Sequence, residues 1–162
     1  MKPLYLVIGL GVAGLIVSGL WVGNKSSHME LEGEIKLVRT YAIDERSSFA
    51  ILDLRLKNPA KYGYVVRKAD LLLDRPGIKP EEAMVITEMD ARRIFQQLPG
   101  LGPKYNDHIM LKERYPSGGT VDKMIVGKFE LPEAELEKRV RFRVILEEAD
   151  GVLTEISEKR GR

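Results

Sequence analysis

Residues 49–74, FAILDLRLKNPAKYGYVVRKADLLLD, decide the class of fold because they hold two amphipathic segments separated by a break. In the first segment every even position from 50 to 56 is apolar, and polar residues alternate with them from 53 to 57. This period of two predicts a β-strand with one buried side and one solvent-facing side. Asn58-Pro59 ends the strand, since proline has no N–H to donate to a neighbouring strand. A second strand is predicted at 64–73, and its predicted inner face is Val65, Ala69, Leu71 and Leu73.

The same alternation recurs along much of the chain. Between residues 29 and 43 the apolar side chains fall mainly on odd positions, which predicts one long strand. Near the other end, Asp150-Gly151 is a favoured two-residue turn between two alternating segments, which predicts a hairpin. The predicted strands are 29–43, 50–57, 64–73, 84–86, 109–114, 121–131, 140–146 and 152–157.

One short helix interrupts this pattern. Thr87 can cap it, because Asp90 three residues later completes a capping box. Pro99-Gly100 ends it. The predicted apolar stripe of this helix is Ala91, Ile94, Phe95 and Leu98.

Short strands separated by turn signals, with one small helix inserted, predict an all-β fold, an antiparallel immunoglobulin-like sandwich. Residues 49–74 also resemble the opening of immunoglobulin-like sandwiches of the late-embryogenesis-abundant, water-stress type, where a strand ending in Asn-Pro leads into a second strand of the same kind. Bacterial envelope domains of immunoglobulin type show the same pattern. The resemblance covers 26 of the 162 residues and implies a fold without catalytic residues.

A long uncharged segment precedes the predicted sandwich. It begins at Leu4, ends at Gly23, and reads LYLVIGLGVAGLIVSGLWVG. As a helix it would extend roughly 30 Å, the thickness of the hydrocarbon core of a bilayer. Tyr5 and Trp21 lie near its two ends, where interfacial aromatic residues are common. We therefore predict one N-terminal transmembrane helix, and lipid as its first partner.

The same segment contains the pattern GxGxxG, made by Gly9, Gly11 and Gly14. That pattern can mark a nucleotide-binding turn, which would make the protein an oxidoreductase. The helix of such a turn needs a polar face, and the residues from Leu15 to Val22 offer only Ser18. We therefore predict no cofactor. In a membrane, small residues four apart permit close approach of two helices, so a weak homodimer through Gly14 and Ser18, or through Gly19 and Gly23, is the alternative use.

The fate of the N-terminal segment has three alternatives. We predict an uncleaved anchor at 1–23, a stalk at 24–28 and the β-sandwich at 29–162, with the N-terminus cytoplasmic and the domain extracytoplasmic. Cleavage near Val17-Ser18-Gly19 would give a secreted domain. Basic residues flank the segment on both sides, so the positive-inside tendency also leaves a cytoplasmic domain open.

Composition narrows the function further. The chain has no cysteine, which excludes disulfides, metal-thiolate sites and thiol nucleophiles. It has 26 Lys+Arg against 24 Asp+Glu, and so lacks the net positive field of a nucleic-acid-binding protein.

Two groups of residues are candidates for catalysis or metal binding. His108 follows Asp107 and could act as a base for Ser117. Neighbouring residues on a strand point to opposite faces, however, so Asp107 is poorly placed to orient His108, and we predict His108 on a surface loop. The acidic pair Glu81-Glu82 is interpreted as the start of a helix or turn, and the pair Glu147-Glu148 as the flank of a hairpin turn. The sequence therefore predicts neither a catalytic residue nor a metal site.

The strongest candidate for binding is a row of alternating arginines, Arg139, Arg141 and Arg143. Three guanidinium groups on one face of a strand could bind an acidic partner through forked hydrogen bonds. The alternative is a solvated sheet face whose charges are matched across strands, for example by Glu155 or Glu147. The preferred hypothesis is a non-enzymatic binding or structural module of the cell envelope with a protein partner. The alternative is a stress-protective or ligand-binding sandwich.

Overall fold

The computed structural model describes residues 30–159. The strands are β1 (Glu32–Ala42), β2 (Ser48–Lys57), β3 (Tyr64–Asp74), β4 (Glu81–Glu82), β5 (Met84–Val85), β6 (Asp107–His108), β7 (Arg114–Tyr115), β8 (Thr120–Phe129), β9 (Arg141–Glu148) and β10 (Leu153–Ser157). The helices are α1 (Glu88–Gln97) and α2 (Glu133–Glu137), with a 3-10 turn at Pro99–Leu101.

The strands form two five-stranded sheets. The first has the order β1-β2-β8-β5, with β6 also paired to β8, and the second has the order β10-β9-β3-β4, with β7 also paired to β3. All pairs are antiparallel except the parallel pair of β6 and β8. The prediction of an all-β, mostly antiparallel fold with a small helical insertion is confirmed.

The main core lies between the two sheets. The even positions of β2, such as Leu52 and Leu54, are buried against Leu71 of β3 and Val144 of β9, as the alternating pattern predicted. The rings of Phe129 and Phe142, one from each sheet, lie with centroids 6.0 Å apart.

A second, smaller core lies on the opposite face of the first sheet. Helix α1 covers Phe49, Ile51 and Met124 there through the four apolar residues of its predicted stripe. Thr87 caps the helix by accepting a hydrogen bond from the N–H of Asp90 at 3.2 Å. The inserted helix is therefore a packing element that gives the first sheet a buried face on each side.

Two β-bulges change the predicted inner faces. In β1 the register shifts between Ile35 and Leu37, so Val38 packs against the core and Leu37 is 42% exposed. In β3 the shift between Val66 and Lys68 buries Val66 in place of the predicted Val65. A bulge adds one residue to one strand and thereby reverses which positions face inward.

The predicted strand at 109–114 is wrong. The chain there is a turn between two-residue strands, β6 before it and β7 after it. Its backbone groups bond to both sheets, because the Ile109 N–H donates to the carbonyl oxygen of Met124 and the Lys112 N–H donates to that of Val66. A segment that crosses from one sheet to the other cannot continue along either.

The predicted transmembrane segment at 4–23, with its glycine pattern, lies outside the described residues. Among residues 30–159, none of the helices has the length and apolar character required to cross a bilayer.

Candidate functional site

The arginine row lies at the start of β9, on the second sheet. Arg141 and Arg143 alternate with the buried residues Phe142 and Val144, so they belong to the outer face of that sheet. Arg139 lies just before the strand, in the connection from α2. Two of the three side chains therefore lie on one strand face as predicted, and the predicted place of Arg139 on that strand is wrong.

Arg139 is held within the fold. Its Nε and Nη2 donate to the two carboxylate oxygens of Glu158 at 2.9 and 3.0 Å, and its guanidinium lies 4.8 Å from the centre of the Phe142 ring. Glu158 also accepts from the backbone N–H of Phe142 at 3.0 Å. The Arg139 side chain is only 8% exposed, so it fastens the chain after β10 to β9 and offers little surface to a partner.

Arg141 and Arg143 share one carboxylate on the neighbouring strand β3. The Nε of Arg141 and the Nε of Arg143 each donate to Asp74 at 2.8 Å, and Arg143 also reaches Glu155 on β10 at 3.1 Å. Burial disfavours the charge on Asp74, but the hydrogen bonds from the two arginines outweigh it and hold the pKa of this carboxyl below its ordinary value. The row is therefore part of a charge network that crosses three strands.

The three arginines differ in what they can offer to a partner. The side chain of Arg143 is 15% exposed, whereas that of Arg141 is 45% exposed. An acidic partner would have to compete with Asp74 for either group, and only Arg141 can be approached without dismantling the network. Of the predicted site residues, Arg141 has the geometry of a contact residue, and Arg139 and Arg143 have the geometry of structural ion pairs.

His108 is buried, and its predicted surface location is wrong. It is 2% exposed, its Nδ1 lies 2.8 Å from the carbonyl oxygen of Ile109, and its Nε2 accepts from the N–H of Val126 at 3.0 Å. Burial lowers the pKa of this imidazole. The exposed Asp107 pairs with Lys104, and Ser117 donates to the carbonyl oxygen of Ala60, so neither hydrogen-bonds to the ring. The imidazole therefore takes the place of a backbone acceptor for the N–H of Val126, on the side of β8 where β5 and β6 pair.

The acidic pairs take part in salt bridges or turns. Glu81 pairs with Arg75 at 2.7 Å, and Glu147 lies 3.5 Å from Arg67. Within residues 30–159 there is no group of three or more His, Asp or Glu side chains arranged to hold a metal ion.

The alternating pattern did not predict one buried polar cluster on the first sheet. Arg39 donates to Asp53 at 3.0 Å and to the carbonyl oxygens of Leu101 and Pro103 at 2.9 Å, while Asn106 donates to the other oxygen of Asp53 at 2.8 Å. This cluster fastens the segment after α1 to the first sheet. The only signal in the sequence was a carboxylate on the outer face of β2, which the alternating pattern assigned to solvent.

Comparisons of the chain with protein-family models, with curated proteins and with solved structures find no match.

Proposed function

We propose that the protein is a single-pass membrane-anchored, non-enzymatic binding or structural module of the cell envelope. The observation that carries the proposal is the run of twenty uncharged residues that ends at Gly23, nine positions before the first strand begins at Glu32. An uncharged segment of that length is far more stable among acyl chains than in water. A folded β domain attached to it would be displayed at the membrane surface.

Membrane retention tests the anchor. Full-length protein expressed in cells is expected to stay with the membranes through alkaline extraction and to require detergent for release. The double variant Leu10→Arg/Ala13→Arg is expected to lose retention, because each charge at the centre of a spanning helix costs about 3 kcal/mol. The matched control, Leu10→Val/Ala13→Val, keeps the segment apolar and should stay bound. Intact wild-type protein in the soluble fraction would refute the anchor.

The side of the membrane needs a separate measurement. A reporter fused after Arg162 that is active only outside the cytoplasm is expected to be active, in keeping with a cytoplasmic N-terminus. The intact mass of the purified protein distinguishes a retained anchor from cleavage near Ser18. An inactive reporter on a membrane-bound fusion would place the domain in the cytoplasm.

The protein partner is proposed to contact the outer face of the second sheet at Arg141. This side chain is a cation 45% exposed on the outer face of that sheet. Affinity capture from membranes with wild type and Arg141→Ala tests the proposal. The matched control is Arg55→Ala, because Arg55 is 52% exposed and also pairs with an aspartate across strands, but on the first sheet. Equal recovery of partners by all three forms would remove this face from consideration.

A further inference from the structure

One end of the sandwich is closest to the predicted anchor. β1 begins beside Lys57, the last residue of β2, and Leu31 donates its N–H to the hydroxyl of Thr154 at the start of β10. This end, called the tether end, carries the loops 58–63, 116–119 and 149–152. The opposite end carries the turns that follow Ala42 and Asp74.

The segment that joins the predicted anchor to the domain, called the tether, is short. Gly23 and Glu30 are seven positions apart, and seven residues span about 25 Å at most when fully extended. If residues 4–23 span a bilayer, as proposed above, Glu30, two residues before β1, stays within that distance of the bilayer surface. The tether end is therefore the part of the domain that lipid headgroups meet first.

Two adjoining loops, 58–63 and 109–113, place apolar side chains on the surface at the tether end. Tyr62 is 67% exposed, Leu111 is 62% exposed, and Met110 is 46% exposed. The loops touch, because a Cβ added at Gly63 would lie 2.3 Å from the Nε of Arg114. Both loops lie at the tether end. The backbone of Val66 hydrogen-bonds to the backbone of Lys112 and of Glu113, and Val66 pairs with Glu148, the last residue of β9.

Both loops are rigidly held, so their exposed side chains do not result from loose packing. Asn58 is buried and donates to the carbonyl oxygens of Tyr62 and Tyr115 at 2.8 and 3.2 Å. In the second loop, Lys112 has a left-handed backbone conformation with φ 65°, which costs energy for a residue with a side chain. That conformation, at the tip of the turn, leaves Leu111 exposed on the surface.

The same loops carry basic side chains without carboxylate partners. Lys61, Lys112 and Arg114 form no salt bridge with any residue of the described range, although most other lysines and arginines of the domain do. The nearest acid in the sequence, Glu113, is engaged by Lys123 of β8. Exposed apolar side chains next to unpaired cations are the combination that an anionic lipid surface binds.

We propose that this basic apolar patch, made of Lys61, Tyr62, Met110, Leu111, Lys112 and Arg114, rests on the anionic surface of the bilayer that holds the anchor. The patch reaches the lipid because β6, which leads into the second loop, is three strand positions from β1, or about 14 Å. That lateral offset is smaller than the reach of the tether. Docking would fix the orientation of the domain and turn its opposite end, with the turn after Asp74, away from the membrane.

Site-specific labelling tests the proposal. Because the chain has no cysteine, a single introduced cysteine is the only thiol that the fluorophore can label. Full-length protein with Leu111→Cys is labelled with a fluorophore and reconstituted into vesicles that contain phosphatidylserine and lipids carrying a quencher near the headgroup. The matched control is Ile78→Cys, because Ile78 is 51% exposed and precedes Lys79 but follows the opposite end of β3. Strong quenching at position 111 and little at position 78 is expected.

Charge reversal tests the electrostatic part. In the same vesicles, Lys61→Glu/Lys112→Glu/Arg114→Glu is expected to abolish quenching at position 111. Each basic residue favours an anionic surface by about fivefold, so loss of three shifts the docked equilibrium by about a hundredfold. Quenching at position 111 should also be lost when the protein with its wild-type charges is placed in phosphatidylcholine vesicles that carry the quencher but no anionic lipid.

Failure of the patch and failure of the anchor have different signatures. Protein that does not float with vesicles contradicts the anchor. Protein that floats while positions 111 and 78 are quenched equally, or only position 78 is quenched, refutes the patch and leaves the anchor intact. Quenching at 111 that is unchanged by charge reversal also refutes it. Protection of position 111 by a captured protein in place of lipid would reassign the patch to a protein partner and overturn the proposal.

Discussion

The guanidinium of Arg39 donates to the carboxylate of Asp53 on the neighbouring strand at 3.0 Å, beneath the segment that follows α1. The side chains are 16% and 5% exposed, and the same guanidinium lies 5.5 Å from the Phe95 ring and 5.1 Å from the Tyr105 ring. This pair anchors the helical insertion to the first sheet.

Removing one member of the buried pair should be costly. Arg39→Ala is expected to lower the free energy of unfolding by about 3 kcal/mol, because it leaves Asp53 buried without its cation. Urea unfolding of the full-length protein in detergent, followed by circular dichroism, measures the change. Arg55→Ala is the control, since the exposed pair of Arg55 and Asp122 joins the same sheet and should contribute little. Equal losses in the two variants would contradict the anchoring role of Arg39.

The buried imidazole of His108 predicts a pH dependence of stability. Burial lowers its pKa below the ordinary 6.5, so below that pH the unfolded chain binds a proton more readily than the folded chain does. The free energy of unfolding should hold above about pH 6.5 and fall as the pH drops toward 5. The carboxylates Asp74 and Glu88, whose pKa values are also lowered from 3.8 and 4.5, contribute only at lower pH.

Two variants separate His108 from the rest of the chain. His108→Gln should lower the overall stability and remove the slope between pH 7 and 5. The control is His28→Gln, at the other histidine of the chain, in the predicted stalk; it should retain the slope. NMR titration of the His108 ring in the wild-type protein gives the same information without a substitution. A ring that titrates at its ordinary pKa or above would overturn the prediction.

Gly127 lies where the first sheet approaches Leu71 and Ala83. A Cβ at this position would lie 2.6 Å from the Cβ of Ala83 and 2.7 Å from Cδ2 of Leu71. Gly127→Ala is therefore expected to lower the free energy of unfolding by about 1–3 kcal/mol through overpacking. The double variant Ala83→Gly/Gly127→Ala removes the closer clash and should recover part of the loss in the same urea experiment. No loss in the single variant would contradict the close packing of Ala83 and Leu71 against Gly127.

The arginines of β9 should separate by their effects on stability. Arg143→Ala removes hydrogen bonds to Asp74 and Glu155 and is expected to cost about 1 kcal/mol, while Arg141→Ala should cost less because that side chain is 45% exposed. Arg141 alone is consequently the right variant for a test of partner binding. A larger loss for Arg141→Ala than for Arg143→Ala would reverse this assignment.

The sequence alone determined the strands whose alternation is long and regular. The even positions from 50 to 56 in β2 and from 142 to 146 in β9 are all apolar, so hydrophobic burial specifies both the strand and its inner face. The capped helix α1 was predictable for a similarly local reason, since Thr87, Asp90 and the apolar stripe lie within twelve residues. Such features depend on spacing along the chain.

Only the tertiary structure decided which side chains meet. The bulges in β1 and β3 exchanged Leu37 for Val38 and Val65 for Val66 on the inner faces, because the pairing of neighbouring strands sets the register. Burial of His108, the pairing of Arg39 with Asp53 and the convergence of Arg141 and Arg143 on Asp74 join residues far apart in the sequence. Local patterns carry no information about such contacts, since they arise when two sheets, one helix and the loops between them pack together.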